Sequence, residues 1–213
     1  MPRIEISLSK IQKNAQILSN LYGKKGISVM GVSKAVLGEP SIARAMIQGE
    51  VKFIADSHIE NIQKMKDAGI STQFVLLRTP LSHSESVVKS ADISLNTEIK
   101  TLERLSHYAH IHKKMHQVII MVEMGDLREG VMPCDLSEFI RRARLLPCIK
   151  IIGIGCNLAC YGGIKPDAKN MDELSELTKA IEKEFQINLK IVSGGNSANY
   201  DWYNSADNIG NIN

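Results

Sequence analysis

Lys34 follows a short apolar run, SVMGVS, and has the residue type for covalent chemistry on a carbonyl group. A lysine that is partly desolvated at the end of a strand can lose its proton and attack a carbonyl carbon, which forms an imine. An ordinary solvated lysine at the edge of a strand is the alternative interpretation. The position of Lys34 alone leaves both interpretations open.

The segment GGNSANY, residues 194–200, has the composition of a phosphate-binding loop. Its backbone amides and the Ser197 hydroxyl would hold a phosphate at the start of a helix. Two glycines and a serine after a strand also make an ordinary turn. The phosphate interpretation therefore depends on other residues as well.

Polar residues end each of seven short apolar runs that are typical of buried strands. These residues are Lys34, Asp56, Arg78, Asn96, Glu123, Asn157 and Ser193. Amphipathic helical patterns such as HIENIQKMKDAG and MDELSELTKAIEKEF lie between the runs. Repeated βα units predict an α/β fold, either a doubly wound parallel sheet or a TIM-like (β/α) barrel, where polar groups gather at the C-terminal ends of the strands.

The first residues of the chain predict a further element that need not belong to this sheet. IEISL alternates like a strand, and the helical pattern that follows it has Ser7 or Ser9 as a candidate cap. No linker rich in Pro, Gly or Ser divides the chain, so we expect a single domain over residues 1–213.

Composition excludes several classes of partner. Lys and Arg exceed Asp and Glu by only three charges and form no basic run, so we expect no nucleic-acid partner. No apolar run is long enough to span a membrane, and the N-terminus has no signal-like stretch, so we expect a cytoplasmic protein. The four cysteines lack the spacing of a metal site and are expected to be reduced, and we expect no metal.

Three motifs in order resemble a known family. GVSKAVLG is similar to the cofactor-lysine motif of the alanine-racemase-like, fold-type III pyridoxal-phosphate (PLP) proteins, MVEMGDLREGV to their arginine segment, and SGGNSANY to their phosphate-binding serine segment. FIADSHIENIQKMKDAGI, LLRTP and GIGCNLACYGG further resemble the ornithine-racemase branch of that family. The resemblance spans nearly the whole chain and implies the (β/α) barrel of the alanine racemase N-terminal domain.

The resemblance implies PLP as cofactor and amino-acid racemisation as the activity. Lys34 would hold PLP as an imine and, once released by the substrate, would act as a base while a carbanion forms. Arg128 would contact the cofactor phenolate and Asn157 a ring substituent. Gly195, Asn196 and Ser197 would bind the phosphate. A homodimer is expected, because relatives take their second base, a tyrosine, from a β-rich domain across the dimer.

The sequence departs from the family pattern in three places. Val36, Leu37 and Gly38 occupy the region where alanine racemases have a tyrosine, and Asn157 stands where many have a histidine stacked on the ring. Relatives also continue into an eighth strand and a C-terminal β-domain. We therefore expect residues 1–213 to be a PLP-binding barrel domain with about seven strands, truncated before the last one.

Several alternatives stay open. A basic substrate such as ornithine would need a carboxylate for its distal ammonium, and the candidates are Asp56, Glu123, Asp126 and Glu129. Arg78 would bind the substrate carboxylate or pair with one of these acids, and Arg128 would otherwise form a surface salt bridge with Asp126 or Glu129. The chain is alternatively a non-catalytic PLP-binding homeostasis protein, or an aldolase in which Lys34 attacks the substrate directly.

Overall fold

Helices and parallel strands alternate along the chain. The computed structural model describes residues 3–213; Met1 and Pro2 lie outside the described residues. The strands are β1 Met30–Val32, β2 Phe53–Asp56, β3 Gln73–Leu76, β4 Ile93–Asn96, β5 His116–Met121, β6 Ile149–Gly155 and β7 Ile191–Ser193. The helices are α1 Leu8–Gly23, α2 Pro40–Gln48, α3 Ile59–Asp67, α4 Ser84–Ser90, α5 Ile99–Ile111, α6 Leu136–Ala143, α7 Ala168–Phe185 and α8 Tyr200–Ser205. The seven predicted strands are confirmed.

The chain divides into two compact units. The first comprises residues up to 78 together with 89–92, and the second comprises 79–88 together with 93–213. The chain passes from one unit to the other three times, after residues 78, 88 and 92, and none of these points lies in a Pro-rich or Gly-rich linker. Each unit is a set of βα repeats with its own buried strands.

In the first unit, β1, β2 and β3 pair in parallel in chain order. The central residues of β2 and β3, including Ile54, Phe74 and Val75, are fully buried, as near-continuous apolar strands require. Helix α1 packs closely on the end of α2, where a Cβ at Gly49 would lie 2.4 Å from the Gln12 carbonyl oxygen. Only glycine therefore allows these two helices to approach.

In the second unit, β4, β5, β6 and β7 pair in parallel in chain order. The pairing of β5 with β6 shifts by one residue between Val118 and Ile119, which marks a β-bulge. A Cβ at Gly153 would lie 2.2 Å from the Ile191 carbonyl oxygen, so the glycine in the run IKIIGIGC permits the close approach of β6 and β7. These strands carry the loops that hold most of the candidate site.

Two expectations for local structure differ from what is observed. The strand-like start is wrong, since residues 3–7 form no strand and Ile4 and Ile6 are 90% and 50% exposed. No neighbouring strand buries their apolar side chains. Ser7 does take the N-cap position of α1, but its hydroxyl bonds the Ser9 hydroxyl at 3.2 Å instead of a backbone N–H.

The residues that the structure describes bear on two classes of partner, membranes and metal ions. Within residues 3–213, no helix has both the length and the apolar character needed to cross a membrane. The same residues contain no group of three or more His, Cys, Asp or Glu side chains arranged to hold a metal ion. All four cysteines are free thiols.

Candidate functional site

Lys34 lies on a tight turn directly after β1 in the first unit. Its side chain is exposed, and among residues 3–213 its amine has no hydrogen-bond or ion-pair partner. The turn closes through bonds from the Val36 and Gly38 N–H groups to the Ser33 carbonyl, at 3.0 and 3.2 Å. Leu37 adopts the left-handed region at φ 52°, which is uncommon for leucine. The backbone under Lys34 is therefore fixed while its amine stays free.

A buried carboxylate anchors this turn. Asp56, at the end of β2, accepts a hydrogen bond from the Ser33 hydroxyl at 2.7 Å with one oxygen. Its other oxygen accepts from the His58 backbone N–H and the Asn61 amide, each at 2.9 Å. Ser33 and Asp56 are both fully buried. Asp56 is thus occupied in holding the residue before Lys34.

Arg128, Glu129 and Asn157 form a connected group in the second unit. One oxygen of Glu129, Oε1, accepts from Arg128 Nη2 and also, at 3.2 Å, from Asn157 Nδ2. Burial opposes the charged form of Arg128, but the hydrogen bond and charge of Glu129 outweigh it and raise the pKa of Arg128. The alternative of an Arg128–Glu129 salt bridge is what the structure shows.

Asp126 joins the loop after β5 to the loop after β6. Its buried carboxylate accepts hydrogen bonds from three successive backbone N–H groups, those of Cys160, Tyr161 and Gly162, at 3.0–3.2 Å. Burial alone would raise the pKa of Asp126, but these three bonds and the Arg128 charge hold it below the usual value. The carboxylate stays ionised, and its oxygens are committed to the backbone.

Glu123 folds back on its own loop. Its Oε1 accepts from the backbone N–H groups of Gly125 at 2.6 Å and Leu127 at 3.0 Å. The Val131 N–H also bonds the Met121 carbonyl, and a Cβ at Gly130 would lie 2.2 Å from the Glu123 nitrogen. Residues 123–131 therefore form a compact, internally hydrogen-bonded loop that includes Arg128.

The segment after β7 is pre-shaped by two asparagines. The Asn196 side chain accepts from the Ala198 N–H at 2.9 Å and donates to the Leu158 carbonyl at 2.9 Å, while Asn199 bonds the Asn196 N–H and the Gly194 carbonyl. Among the described residues, the Ser197 hydroxyl and the N–H groups of Gly195 and Ser197 have no acceptor. The segment therefore presents three free donors on a fixed backbone.

The remaining strand-end residues have other surroundings. Arg78 is exposed. Asn96 is buried and donates to Ser94, whose hydroxyl lies 2.8 Å from His116 Nε2, and Asn96 Oδ1 has no partner within the described chain. Burial, with the Lys114 charge, lowers the pKa of His116 to about 4, so this ring is neutral at pH 7.

The six predicted site residues divide between the two units. Lys34 belongs to the first, and Arg128, Asn157, Gly195, Asn196 and Ser197 belong to the second, where Glu129 connects Arg128 to Asn157 and Asn196 touches the loop that follows Asn157. Sequence reasoning missed the double contact of Glu129, the capping role of Asn199 and the loop-joining role of Asp126. The spacing of Asn196 and Asn199, three residues apart, is the signal that could have identified this cap.

The chain is similar to known proteins over most of its length. The family described as "Alanine racemase, N-terminal domain" matches residues 6–210. Ornithine racemase of Acetoanaerobium sticklandii is 42% identical over 199 residues, which are 92% of this chain and 56% of that protein. Lysine racemase of Thermotoga maritima is 35% identical over 198 residues, 92% of this chain and 55% of that protein. The chain thus spans about half the length of the curated relatives it matches.

Solved structures show the fold. Alanine racemase from Streptomyces lavendulae has a TM-score of 0.77 at 16% identity, covering 90% of this chain and 52% of that chain. D-threonine aldolase from Filomicrobium marinum has a TM-score of 0.78 at 15% identity, covering 95% and 58%. The expected TIM-like barrel of the alanine racemase type and the resemblance to the ornithine-racemase branch are confirmed. The chain belongs to the alanine racemase N-terminal domain family.

Proposed function

We propose that this chain is the PLP-binding part of an amino-acid racemase that acts on a basic amino acid such as ornithine. The observation that carries the proposal is the free amine of Lys34 on a turn that buried Ser33 and Asp56 hold in place. The similarity to an ornithine racemase and a lysine racemase supports the reaction and the substrate class.

The chemistry of the donor set suits PLP. Lys34 offers an unpaired amine for the aldehyde, and the free donors of Gly195 and Ser197 suit a phosphate dianion. Arg128 donates to Glu129 through Nη2, so the donors on its other guanidinium nitrogens are left for the phenolate. Asn157 keeps its second Nδ2 N–H as a donor for a ring substituent, and Asn196 holds the shape of the phosphate segment.

Lys34 is the proposed base. When bound, PLP supplies an electron sink that makes the α-hydrogen of an amino acid acidic. Lys34 Nζ then removes or returns this proton on one face of the α-carbon. Inversion also needs a base on the opposite face, and the family resemblance implies a tyrosine of a second subunit for this role. A homodimer and a cytoplasmic location are accordingly part of the proposal.

Charge near Arg128 favours a cationic substrate. The loop 123–129 carries three carboxylates, Glu123, Asp126 and Glu129, against the single Arg128, which gives a formal charge of −2 (one minus three). All oxygens of Asp56 and Asp126 accept hydrogen bonds, whereas Glu123 and Glu129 each keep Oε2 without a donor among the described residues. Glu123 and Glu129 are therefore the better candidates for the distal ammonium.

Lys34→Ala tests the cofactor site. After PLP is added to the full chain, borohydride reduction and peptide mass mapping should find cofactor mass on the Lys34 peptide and none in the variant. Lys52→Ala removes another exposed lysine of the first unit and should label like the unaltered chain. Labelling that is equal in Lys34→Ala and the unaltered chain would refute the role of Lys34.

Incubation with L-ornithine in deuterated water tests the reaction. A racemase incorporates deuterium at the α-carbon and forms the D-enantiomer, both of which chiral chromatography with mass spectrometry detects. Exchange with retention would indicate a chain that has one working base. No exchange in a PLP-loaded sample would favour the PLP-binding homeostasis alternative, and a reduced adduct with substrate mass would favour the aldolase.

A further inference from the structure

Glu129 is connected to two of the proposed cofactor contacts at once. Its Oε1 accepts from Arg128 Nη2, which is the adjacent residue, and from Asn157 Nδ2, which is 28 positions away in sequence. Two donors on one oxygen must lie within about 6 Å of each other, given ordinary hydrogen-bond lengths. The relative position of Arg128 and Asn157 therefore depends on where Glu129 Oε1 lies.

The backbone beneath Glu129 is held from both sides. Upstream, Asp126 accepts three N–H groups of residues 160–162, and Glu123 Oε1 accepts the Leu127 N–H. Downstream, Gly130 has no room for a Cβ, and the Glu123 N–H bonds the Val131 carbonyl at 2.9 Å. Because the backbone is fixed on both flanks and Oε1 accepts two donors, the carboxylate of Glu129 is a directed acceptor rather than a freely rotating surface group.

The surroundings of Glu129 also distinguish it from the exposed ion pairs of the second unit. The Glu129 and Arg128 side chains are 21% and 31% exposed, whereas Glu138 and Arg141 on α6 are 62% and 56% exposed. Partial exclusion of water strengthens a charge-assisted bond, and exposed pairs contribute little. The Arg128–Glu129 pair is therefore better able to fix an orientation than the pair on α6.

We propose that Glu129 is a positioning residue, whose carboxylate oxygen sets the directions of the Arg128 guanidinium and the Asn157 amide for the cofactor. This inference rests on the proposed function for its purpose but not for its geometry. Glu129→Gln keeps an acceptor oxygen at the same place, although it removes the charge, and Glu129→Ala removes both. The two variants separate orientation from charge.

Arginine modification tests the geometry without any cofactor. Phenylglyoxal labels accessible guanidinium groups, and peptide mass mapping reports Arg128 and Arg141 separately in the same sample. We expect Glu129→Ala to speed the labelling of Arg128 about fivefold, because this variant loses the acceptor of the guanidinium. Glu129→Gln keeps an acceptor, so its Arg128 labelling should stay within about twofold of the unaltered chain. The labelling of Arg141 should be unchanged in both variants. Glu138→Ala is the control on an exposed pair: Arg141 keeps Glu184 as a second acceptor at 3.0 Å, so its labelling should stay within about twofold, and Arg128 should be unaffected.

Cofactor titration tests the purpose. For the full chain, Glu129→Ala should weaken PLP binding about tenfold and shift the absorbance of the bound cofactor, because it removes the acceptor that orients two cofactor contacts. Glu129→Gln keeps an acceptor oxygen and should restore most of the affinity. Glu138→Ala should bind PLP like the unaltered chain. Thermal melts of the Glu129 variants should match that of the unaltered chain, because the loss of a merely structural contact would lower the melting temperature.

Each remaining outcome decides the inference. Unchanged Arg128 labelling and unchanged PLP affinity in Glu129→Ala would overturn it. A higher KM for ornithine with unaltered PLP affinity and Arg128 labelling would leave Glu129 as a substrate contact through Oε2 alone and would also overturn it. If the unaltered chain binds no PLP, the proposed function fails, but the Arg128 labelling still decides whether Glu129 directs the arginine.

Discussion

Asp126 shows how the hydrogen-bond partners of a side chain favour one of several tasks that the sequence leaves open. As one of four acids near the predicted site, it was a candidate for the distal ammonium of a substrate. In the structure its carboxylate is filled by three backbone N–H groups of residues 160–162. A buried carboxylate with three backbone donors stabilises a loop, and its Oδ1 is fully used in doing so.

Asp126→Ala should therefore lower stability rather than change substrate preference. The variant leaves three loop N–H groups without their acceptor, and we expect the free energy of unfolding to fall by about 2–4 kcal/mol. Asp126→Asn keeps one acceptor oxygen and should lose less. Urea denaturation measures both, beside Asp207→Ala, which removes an exposed aspartate of the same unit. Equal stability of Asp126→Ala and Asp207→Ala would contradict this role.

Residue types in motifs could be predicted from the sequence, whereas their partners could not. Lys34, Arg128 and Ser197 stand in continuous segments whose order identifies them. The acceptor that joins Arg128 to Asn157 depends on how the loops after β5 and β6 fold against each other. Asn157 is 28 positions from Glu129, and nothing local in the chain specifies that contact. The same holds for Ser33 and Asp56.

At the scale of elements, strands were predictable because their burial is nearly continuous. Runs such as QFVLL and QVIIMV have no polar alternation, and β3 and β5 are buried along most of their length. IEISL alternates instead, but no sheet covers its apolar side, so its pattern has no structural consequence. Helix α4 has only a weak pattern, because SESVVKS is seven residues long and five of them are polar.

The turn that carries Lys34 predicts a steric effect at Gly38. This residue has φ 59°, and a Cβ there would lie 2.7 Å from Asn61 Cβ and 2.9 Å from the Asn61 carbonyl oxygen. Gly38→Ala should cost about 2–4 kcal/mol and reduce PLP labelling of Lys34, because strain and steric overlap add. Gly69 has φ 75° and open space where a Cβ would lie. Gly69→Ala therefore adds the backbone strain without steric overlap and should cost about 1 kcal/mol. Calorimetric melts that rank the two variants equally would refute this argument.

The contact between β4 and β5 predicts a pH dependence. Burial lowers the pKa of His116 to about 4 from 6.5, so the unfolded chain binds this proton at a higher pH than the folded chain does. The part of the free energy of unfolding that depends on a neutral ring is fully present above pH 6.5. Up to about 3 kcal/mol of it is lost as the pH falls towards 4. His116→Gln should flatten this loss in denaturation curves between pH 7 and 4. His107→Gln, at an exposed position, should keep the slope of the unaltered chain; identical slopes in all three proteins would exclude His116.

At the scale of the whole molecule, the sequence predicted the repeat but not the division into two units. The boundaries fall at residues 78, 88 and 92, within and beside α4. Such a boundary has no compositional mark, because α4 contributes residues to both units. Sequence patterns report the burial of each strand, whereas the grouping of strands depends on contacts between distant segments.

The outer edges of β1 and β7 differ in whether their backbone groups have hydrogen-bond partners. At β7, the Val192 N–H donates to Asn213 Oδ1 at 3.0 Å, and the Val192 carbonyl accepts from the Asn213 N–H at 3.2 Å, which occupies this edge. Within residues 3–213, β1 is paired only with β2, and Val32 on β1 is 43% exposed. An unpaired, partly apolar edge is a template for pairing with another chain.

We therefore expect the chain to associate through β1, with a weight-average mass in light scattering that rises with concentration. Val32→Lys should reduce this rise, because a charge on an edge strand resists desolvation and repels its copy. Leu145→Lys replaces a side chain that is 81% exposed and lies outside any strand, so it should leave the rise unchanged. If Leu145→Lys is as effective as Val32→Lys, association follows general surface hydrophobicity instead of strand pairing. A constant monomer mass in the unaltered chain would mean that three paired residues of β1 are too short an edge to recruit a second copy.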